Sequence, residues 1–236
     1  MKQGNVYLIP NVIAEHTQAL VISPQVLQVL PGIKHFLAED IRTARRYFSS
    51  LGIFSSIEAL QFEVLNKDTD SASLSVLFAP VREGNDIGIV SDAGCPGIAD
   101  PGAIAVRYAH AHDIRVIPLV GPSSLLLALM ASGLDGQRFT FHGYLPIDKS
   151  EFVKTVRDLE KESKKSAQTQ IFIETPYRSN ATLRLLLDAL RNDTLLSVAA
   201  NLTSPEESIC TWPVSKWKAQ PKALGKVPVV FSILAV

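Results

Sequence analysis

Short apolar runs alternate with segments of helical period through the first half of the chain, and that alternation leaves few folds open. Val6–Ile9, His35–Ala38, Asp86–Ser91 (DIGIVS) and Arg115–Val120 are the apolar runs, of strand length and rich in β-branched residues. Between them, Ser23 and Pro24 have the character of an N-cap and first helical residue, opening a helix through about Leu30. Ile41–Leu51 has helical spacing and meets a natural stop at Gly52. Further helices are predicted over Ala72–Arg82, ending near Gly84, and over Pro101–His112, with proline at its start. Strands that take turns with helices pair in parallel through right-handed crossovers, because the intervening helix must pack back onto the sheet.

The second half has a different rhythm. A helix from about Pro122 to Ser132 precedes a strand at Phe139–Leu145, a charged helix at Glu151–Ser166 and an apolar strand at Gln170–Glu174. Asn180–Arg191 places Leu183, Leu186, Leu187 and Leu190 on one helical face. Three strands, Leu196–Leu202, Ser208–Pro213 and Val227–Val236, close the sequence, and the one short connection among them implies a mixed sheet. The expected fold class is therefore α/β, with two α/β domains. Residues 1–117 form the first around a mostly parallel sheet, and residues 118–236 the second around a mixed one.

Lys plus Arg and Asp plus Glu number 23 each, so the whole surface is not that of a nucleic-acid binder. The charge is unevenly spread: residues 1–137 carry a net −4 and residues 138–236 a net +4, so an anionic partner is sought on the second half. Cys95 and Cys210 stand far apart in no metal-type spacing, and the N-terminal MKQGNVYLIP lacks the apolar core of a secretory signal. A reducing, cytoplasmic setting is expected. The uncharged run Val116–Leu134 is long enough to raise a membrane span, but Pro118, Gly121, Pro122, Ser123 and Ser124 interrupt it. It is better explained as a buried strand, a turn and a core helix.

Ser91–Gly102, SDAGCPGIADPG, lies between a predicted strand and a predicted helix, where open α/β sheets bind ligands. Its three glycines and two prolines make a stiff, backbone-rich loop that is neither GxGxxG nor a P-loop. Taken alone, it is either a ligand loop or a tight structural turn. VGPSSL (Val120–Leu125) forms a second such junction, where Ser123 and Ser124 are able to cap the helix, bond a ligand, or both.

Four segments in order, SDAGCPGIADPG, VGPSSLLLALMASGL, FTFHGYLP and IFIETPYR, resemble the tetrapyrrole methylase superfamily, most closely its branch of ribosomal RNA small-subunit cytidine 2′-O-methyltransferases. The resemblance runs from about Val6 to Leu202. It implies S-adenosylmethionine bound between two α/β domains, a homodimer, and methylation of RNA ribose. By the same resemblance the cofactor would be bound by Asp92, Ala93, Gly94, Cys95, Pro96, Gly97 and Ile98. Ser123 and Ser124, the stretch from Phe172 to Glu174, and Asn201 with Leu202 would complete its site. The sequence departs from the branch in places. The first loop is Pro10–Glu15 (PNVIAE), without the branch's glycine and following asparagine. The acidic motif is Glu39-Asp40-Ile41-Arg42, with isoleucine for threonine, and Ala200–Ser204 lacks the usual arginine, glutamate and lysine. A basic stretch after the YLP-like motif is replaced by Ile147–Glu151. A small tetrapyrrole-like substrate, or a paralogue that binds the cofactor without catalysis, are therefore the alternative expectations.

Methyl transfer to a hydroxyl requires positioning and removal of a proton. Glu39, Asp40 and Glu174 are the candidate bases, each near a predicted strand end, where a carboxylate is more commonly a surface or helix-capping group. Arg42 and Arg178 are candidate phosphate ligands. His110 and His112 do not face one another, so no metal site is expected. His142 lies on a predicted strand and is able to face a ligand or simply pack. Trp212 and Trp217 flank Pro213 and either stack a base, pack in the core or meet a second subunit.

Overall fold

The computed structural model describes residues 3–236, which divide into two compact units, one ending at Ser123 and the other Ser124–Val236. The first unit is built on a five-stranded, all-parallel sheet. Its strands are β1 (Val6–Ile9), β2 (His35–Ala38), β3 (Gln61–Val64), β4 (Ile87–Val90) and β5 (Val116–Pro118), in the order β3-β2-β4-β1-β5. β4 is buried along its whole length, as expected of a central parallel strand covered on both faces. Gly88 sits at its middle because a Cβ there would come within 2.4 Å of Ile9 Cδ1 and 2.7 Å of Phe36 Cδ1.

The helices of this unit are α1 (Gln18–Val21), α2 (Pro24–Val29), α3 (Ile41–Leu51), α4 (Ser71–Leu77), α5 (Ala79–Arg82) and α6 (Gly102–Ala111). Two apolar clusters flank the sheet. One gathers Phe36, Tyr47 and Phe48 with Ile9 and Val26, and the other Phe78, Val81 and Ala105 with Ile87 and Ile89. α3 runs from its Asp40 cap to Gly52, whose φ of 65° ends it.

The second unit carries α7 (Ser124–Ser132), β6 (Phe139–Tyr144), α8 (Lys149–Ser166), β7 (Thr169–Glu174), α9 (Ser179–Ala189), β8 (Leu195–Ala200), β9 (Ser208–Pro213), α10 (Val214–Ala219) and β10 (Val229–Leu234). Its sheet order is β6-β7-β10-β8-β9, with β6 parallel to β7 and the other pairs antiparallel. Phe172, Val198 and Phe231 point to the face covered by α8, α9 and α10, while Ile171, Ala199 and Val230 point to the face covered by α7. That alternation is the period-2 geometry of a sheet buried on both sides.

Several sequence expectations need correction. The single helix over Ala72–Arg82 is two, parted at Phe78, because Pro80 has no N–H to give and its ring obstructs the preceding turn. β3 has no counterpart among the expected strands: its residues are largely exposed on a sheet edge, so they carry no apolar run. α1 and α10 are too short to show a helical period. Strand β5 covers only Val116–Pro118 of the expected Arg115–Val120, and the helix expected from Pro122 begins at Ser124. Ser23 precedes α2 as expected, but its hydroxyl makes no capping hydrogen bond. Among the described residues, no helix is long and apolar enough to cross a membrane.

Candidate functional site

In a parallel sheet all strands end on one side, so the loops after them gather there. In the first unit these are the loops after β1 (Pro10 onward), β2 (Glu39, Asp40), β4 (Ser91–Pro101) and β5 (Leu119–Ser123). They are fastened together by backbone. Asn11 and Gly94 exchange N–H···O bonds of 2.9 and 3.2 Å in an isolated antiparallel bridge. The Asn11 amide also donates to the carbonyls of Ser91 and Asp92, both at 3.1 Å, and Tyr47 Oη donates to the Pro10 carbonyl at 2.8 Å. Gly121 lies against Pro10 so closely that a Cβ would fall 2.1 Å from the proline Cβ.

The Ser91–Gly102 loop is held from within. Ser91 Oγ lies 2.9 Å from the Gly94 carbonyl, and Asp100 Oδ1 accepts from the N–H groups of Gly97 (2.5 Å) and Gly102 (2.8 Å). Gly94 and Gly97 have φ of 70° and 81°, a region that disfavours any side chain. Asp92 and Ala93 are exposed, as is Ile98 at 52%, an unusual position for so apolar a side chain. Cys95 is half-buried with Sγ 3.3 Å from the Pro122 carbonyl, and burial pushes its thiol pKa up.

Three carboxylates converge at these strand ends. The pKa of Glu39 is raised by partial burial and by the charges of Asp92 and Asp100. That of Asp92 is raised by burial and by Asp40 and Asp100, against a hydrogen bond from the Asp40 backbone. Asp100 is raised by burial, which outweighs its two amide donors. Among the described residues, none of the three forms an ion pair. Such a cluster is a place prepared for positive charge.

Asp40 does something different from Glu39 beside it. Its Oδ1 accepts from Arg42 N (2.7 Å) and Thr43 N (2.9 Å), capping α3, and these bonds lower its pKa. A capping carboxylate already bonded to two amides is a poor base. Arg42 is exposed on the first turn of α3.

In the second unit, Glu174 is 7% exposed and fully engaged. It accepts from Thr175 N (2.8 Å) and Thr182 Oγ1 (2.8 Å) and pairs with Arg178 at 3.5 Å. It fastens the end of β7 to α9, and Arg178 is committed to it. Phe172 is 1% exposed and stacks on Phe231 with centroids 5.7 Å apart, so its side chain belongs to the core. Asn201 has a φ of 56° and donates its N–H to the Pro228 carbonyl, and Leu202 is buried against Ala128, Leu129 and Val230. Ser123 ends the first unit and Ser124 begins α7 in the second, each half-buried. His142 Nε2 lies 2.7 Å from Gln170 Oε1, and His112 stacks on Tyr108 at 4.0 Å. Trp217 is core, its Nε1 donating to the Leu196 carbonyl at 2.9 Å.

Sequence reasoning missed Asn11, Asp100 and Gly121. Asp100 carried a usable signal, since Asp-Pro-Gly before a helix is an Asx-turn pattern. Asn11 and Gly121 carried none, because their roles depend on which loops the sheet order brings side by side.

The model of the Tetrapyrrole (Corrin/Porphyrin) Methylases matches residues 16–217. The chain is similar to the ribosomal RNA small subunit methyltransferase I of Escherichia coli O157:H7, 32% identical over 214 residues that cover 91% of this chain and 71% of that protein. The Pseudomonas aeruginosa protein of the same name is 33% identical over 195 residues, covering 83% of this chain and 66% of its own. Among solved structures, the methyltransferase CobJ matches in fold with a TM-score of 0.62 at 16% identity, over 99% of this chain and 100% of that one. With its all-parallel first sheet and mixed second sheet, the chain belongs to the tetrapyrrole methylase family and is a methyltransferase.

Proposed function

We propose that this methyltransferase uses S-adenosylmethionine and modifies RNA of the small ribosomal subunit, on a ribose 2′-hydroxyl. The observation that carries the reading is the carboxylate cluster of Glu39, Asp92 and Asp100, without an ion-pair partner among the described residues, beside a glycine-rich loop whose Asp92, Ala93 and Ile98 are exposed. The cofactor bears a sulfonium and an ammonium, so a cluster of carboxylates lacking cations suits it, and Asp92, Ala93 and Ile98 of the same loop are exposed to meet a ligand. When bound, it supplies an electrophilic methyl group. The names of the relatives support small-subunit ribosomal RNA as the acceptor.

The chain's own residues contribute position and proton transfer. Asn11, Ser91 and Asp100 hold the loop in one conformation, so little ordering remains to be done on binding. Glu39 is exposed, free of a capping bond and raised in pKa, which suits it to accept the proton of a ribose hydroxyl. Asp40 and Glu174 serve structure in this scheme. A homodimer and a cytoplasmic location belong to the same reading.

Calorimetric titration with S-adenosylmethionine and S-adenosylhomocysteine, followed by transfer of labelled methyl groups to unmodified small subunits, tests the proposal. Saturable binding that Ala93→Trp weakens, with label recovered in small-subunit RNA, is the expected result. Failure of a folded sample to bind either compound would sink the cofactor assignment. Binding without label in RNA would overturn the substrate.

A further inference from the structure

The last 29 residues, from Ser208 onward, contain four lysines and no acidic side chain, in a chain whose net charge is zero. Lys216, Lys218, Lys222 and Lys226 are all exposed, and they fall on α10 and the segment joining it to β10, beside the edge strand β9. Two of them are held in place. The Nζ atoms of Lys216 and Lys222 each sit 4.3 Å from the centroid of the Trp212 ring. Trp212 in turn packs at 4.9 Å on Trp217, which the Leu196 carbonyl anchors in the core.

Both ammonium groups are thus drawn to one ring by its negative face although they repel each other. Among the described residues neither forms an ion pair. The neighbouring carboxylates are otherwise occupied: Asp193 pairs with Arg191 at 3.3 Å, while Glu206 and Glu207 accept from Ser204 and Thr203 in their own turn. Lys218, bonded to Asn192 Oδ1 at 2.8 Å, extends the row. Two cations held at one ring without an ion-pair partner attract anionic groups, and lysines gathered beside an aromatic anchor suit a polyanion of regular spacing.

We propose that Lys216 and Lys222, clamped over Trp212, bind the sugar–phosphate backbone of single-stranded RNA, with Lys218 and Lys226 extending the grip. The choice of RNA rests on the substrate class proposed above. The clamp places an RNA-binding surface on the second unit, consistent with the net positive charge of residues 138–236.

The test uses the full chain and a fluorescently labelled single-stranded RNA of about 20 nucleotides, with affinity measured by anisotropy across a salt series. Removing one lysine–phosphate pairing should lower the slope of log affinity against log salt by about 0.7, so Lys216→Glu with Lys222→Glu should lower it by about 1.4. The double variant should bind at least ~10-fold more weakly. The pair Lys216→Arg and Lys222→Arg should keep the affinity, because charge is retained. Thermal melting of the same samples reports whether the variants are folded, and S-adenosylmethionine titration keeps the two proposals apart. Unchanged affinity and slope in the double glutamate variant, or no RNA binding by the parent chain, would overturn the clamp while leaving the cofactor assignment standing. RNA binding abolished in a folded double variant, in a parent that binds no S-adenosylmethionine, would support the clamp and defeat the cofactor assignment.

Discussion

Asn11 and Gly94 exchange backbone hydrogen bonds of 2.9 and 3.2 Å, tying the loop after β1 to the glycine-rich loop after β4. The Asn11 side chain extends the tie to the carbonyls of Ser91 and Asp92, and at 2% exposure it has no water to replace them. Asn11→Ala leaves both carbonyls short of a donor. The expected cost is about 1–3 kcal/mol of stability, seen as a lower urea midpoint with an unchanged slope. Cofactor affinity should fall as well, since the loop loses its tether. An unaltered midpoint and affinity would show that the backbone bridge alone holds the loop.

Gly121→Ala tests the opposite wall of the same place. The new methyl would sit 2.1 Å from Pro10 Cβ, and neither backbone has a flexible end that can yield. Overpacking of this kind costs about 1–3 kcal/mol. The same substitution at Gly136, where a Cβ meets nothing within 4 Å, should be close to neutral by thermal melting.

The contrast between adjacent carboxylates is the sharpest functional prediction. Glu39→Gln should reduce methyl transfer by roughly 100-fold or more while leaving the fold intact, because it removes a proton acceptor. Asp40→Asn should leave the rate nearly unchanged, since asparagine caps α3 almost as well. Equal loss of rate in both, measured by single-turnover transfer, would argue that neither is the base.

The alternation of strands and helices was legible because parallel strands must be apolar on both faces, as β4 is, and because Asp40 and Gly52 punctuate α3 with standard helix-end chemistry. Edge strand β3 escaped notice for the same reason in reverse: Gln61 and Glu63 are exposed, so nothing in the pattern marks a strand. At the candidate site, the glycine loop was visible as composition. The division of labour among carboxylates was not. Glu39, Asp40 and Glu174 are indistinguishable by type and position, and only the hydrogen-bond partners show that two of them are occupied.

Glu174→Gln addresses the second of those occupied carboxylates. The substitution keeps the shape but removes the charge that pairs with Arg178 and one acceptor that serves Thr175 or Thr182. A loss of about 1–3 kcal/mol in chemical denaturation is expected. The pH profile of methyl transfer should keep its form, which separates a fastening role from a catalytic one.

Cofactor binding should depend on pH through the cluster itself. Glu39 and Asp92 have pKa values raised in the folded chain, so they hold their protons to higher pH than ordinary carboxylates. A raised carboxylate favours the folded state while protonated, below its unfolded pKa, and that contribution is lost as pH rises through the folded value. At neutral pH the ligand-free chain therefore carries a small electrostatic penalty there. A cationic ligand relieves it, lowers both pKa values and drives proton release when the titration is made near them. S-adenosylmethionine affinity should fall as pH is lowered from neutral toward the raised pKa values of these carboxylates, with proton release growing as they are approached. Calorimetry in buffers of different ionisation heat counts those protons. S-adenosylhomocysteine, which has no sulfonium, should show the weaker dependence, and identical pH profiles for the two ligands would place the sulfonium away from this cluster.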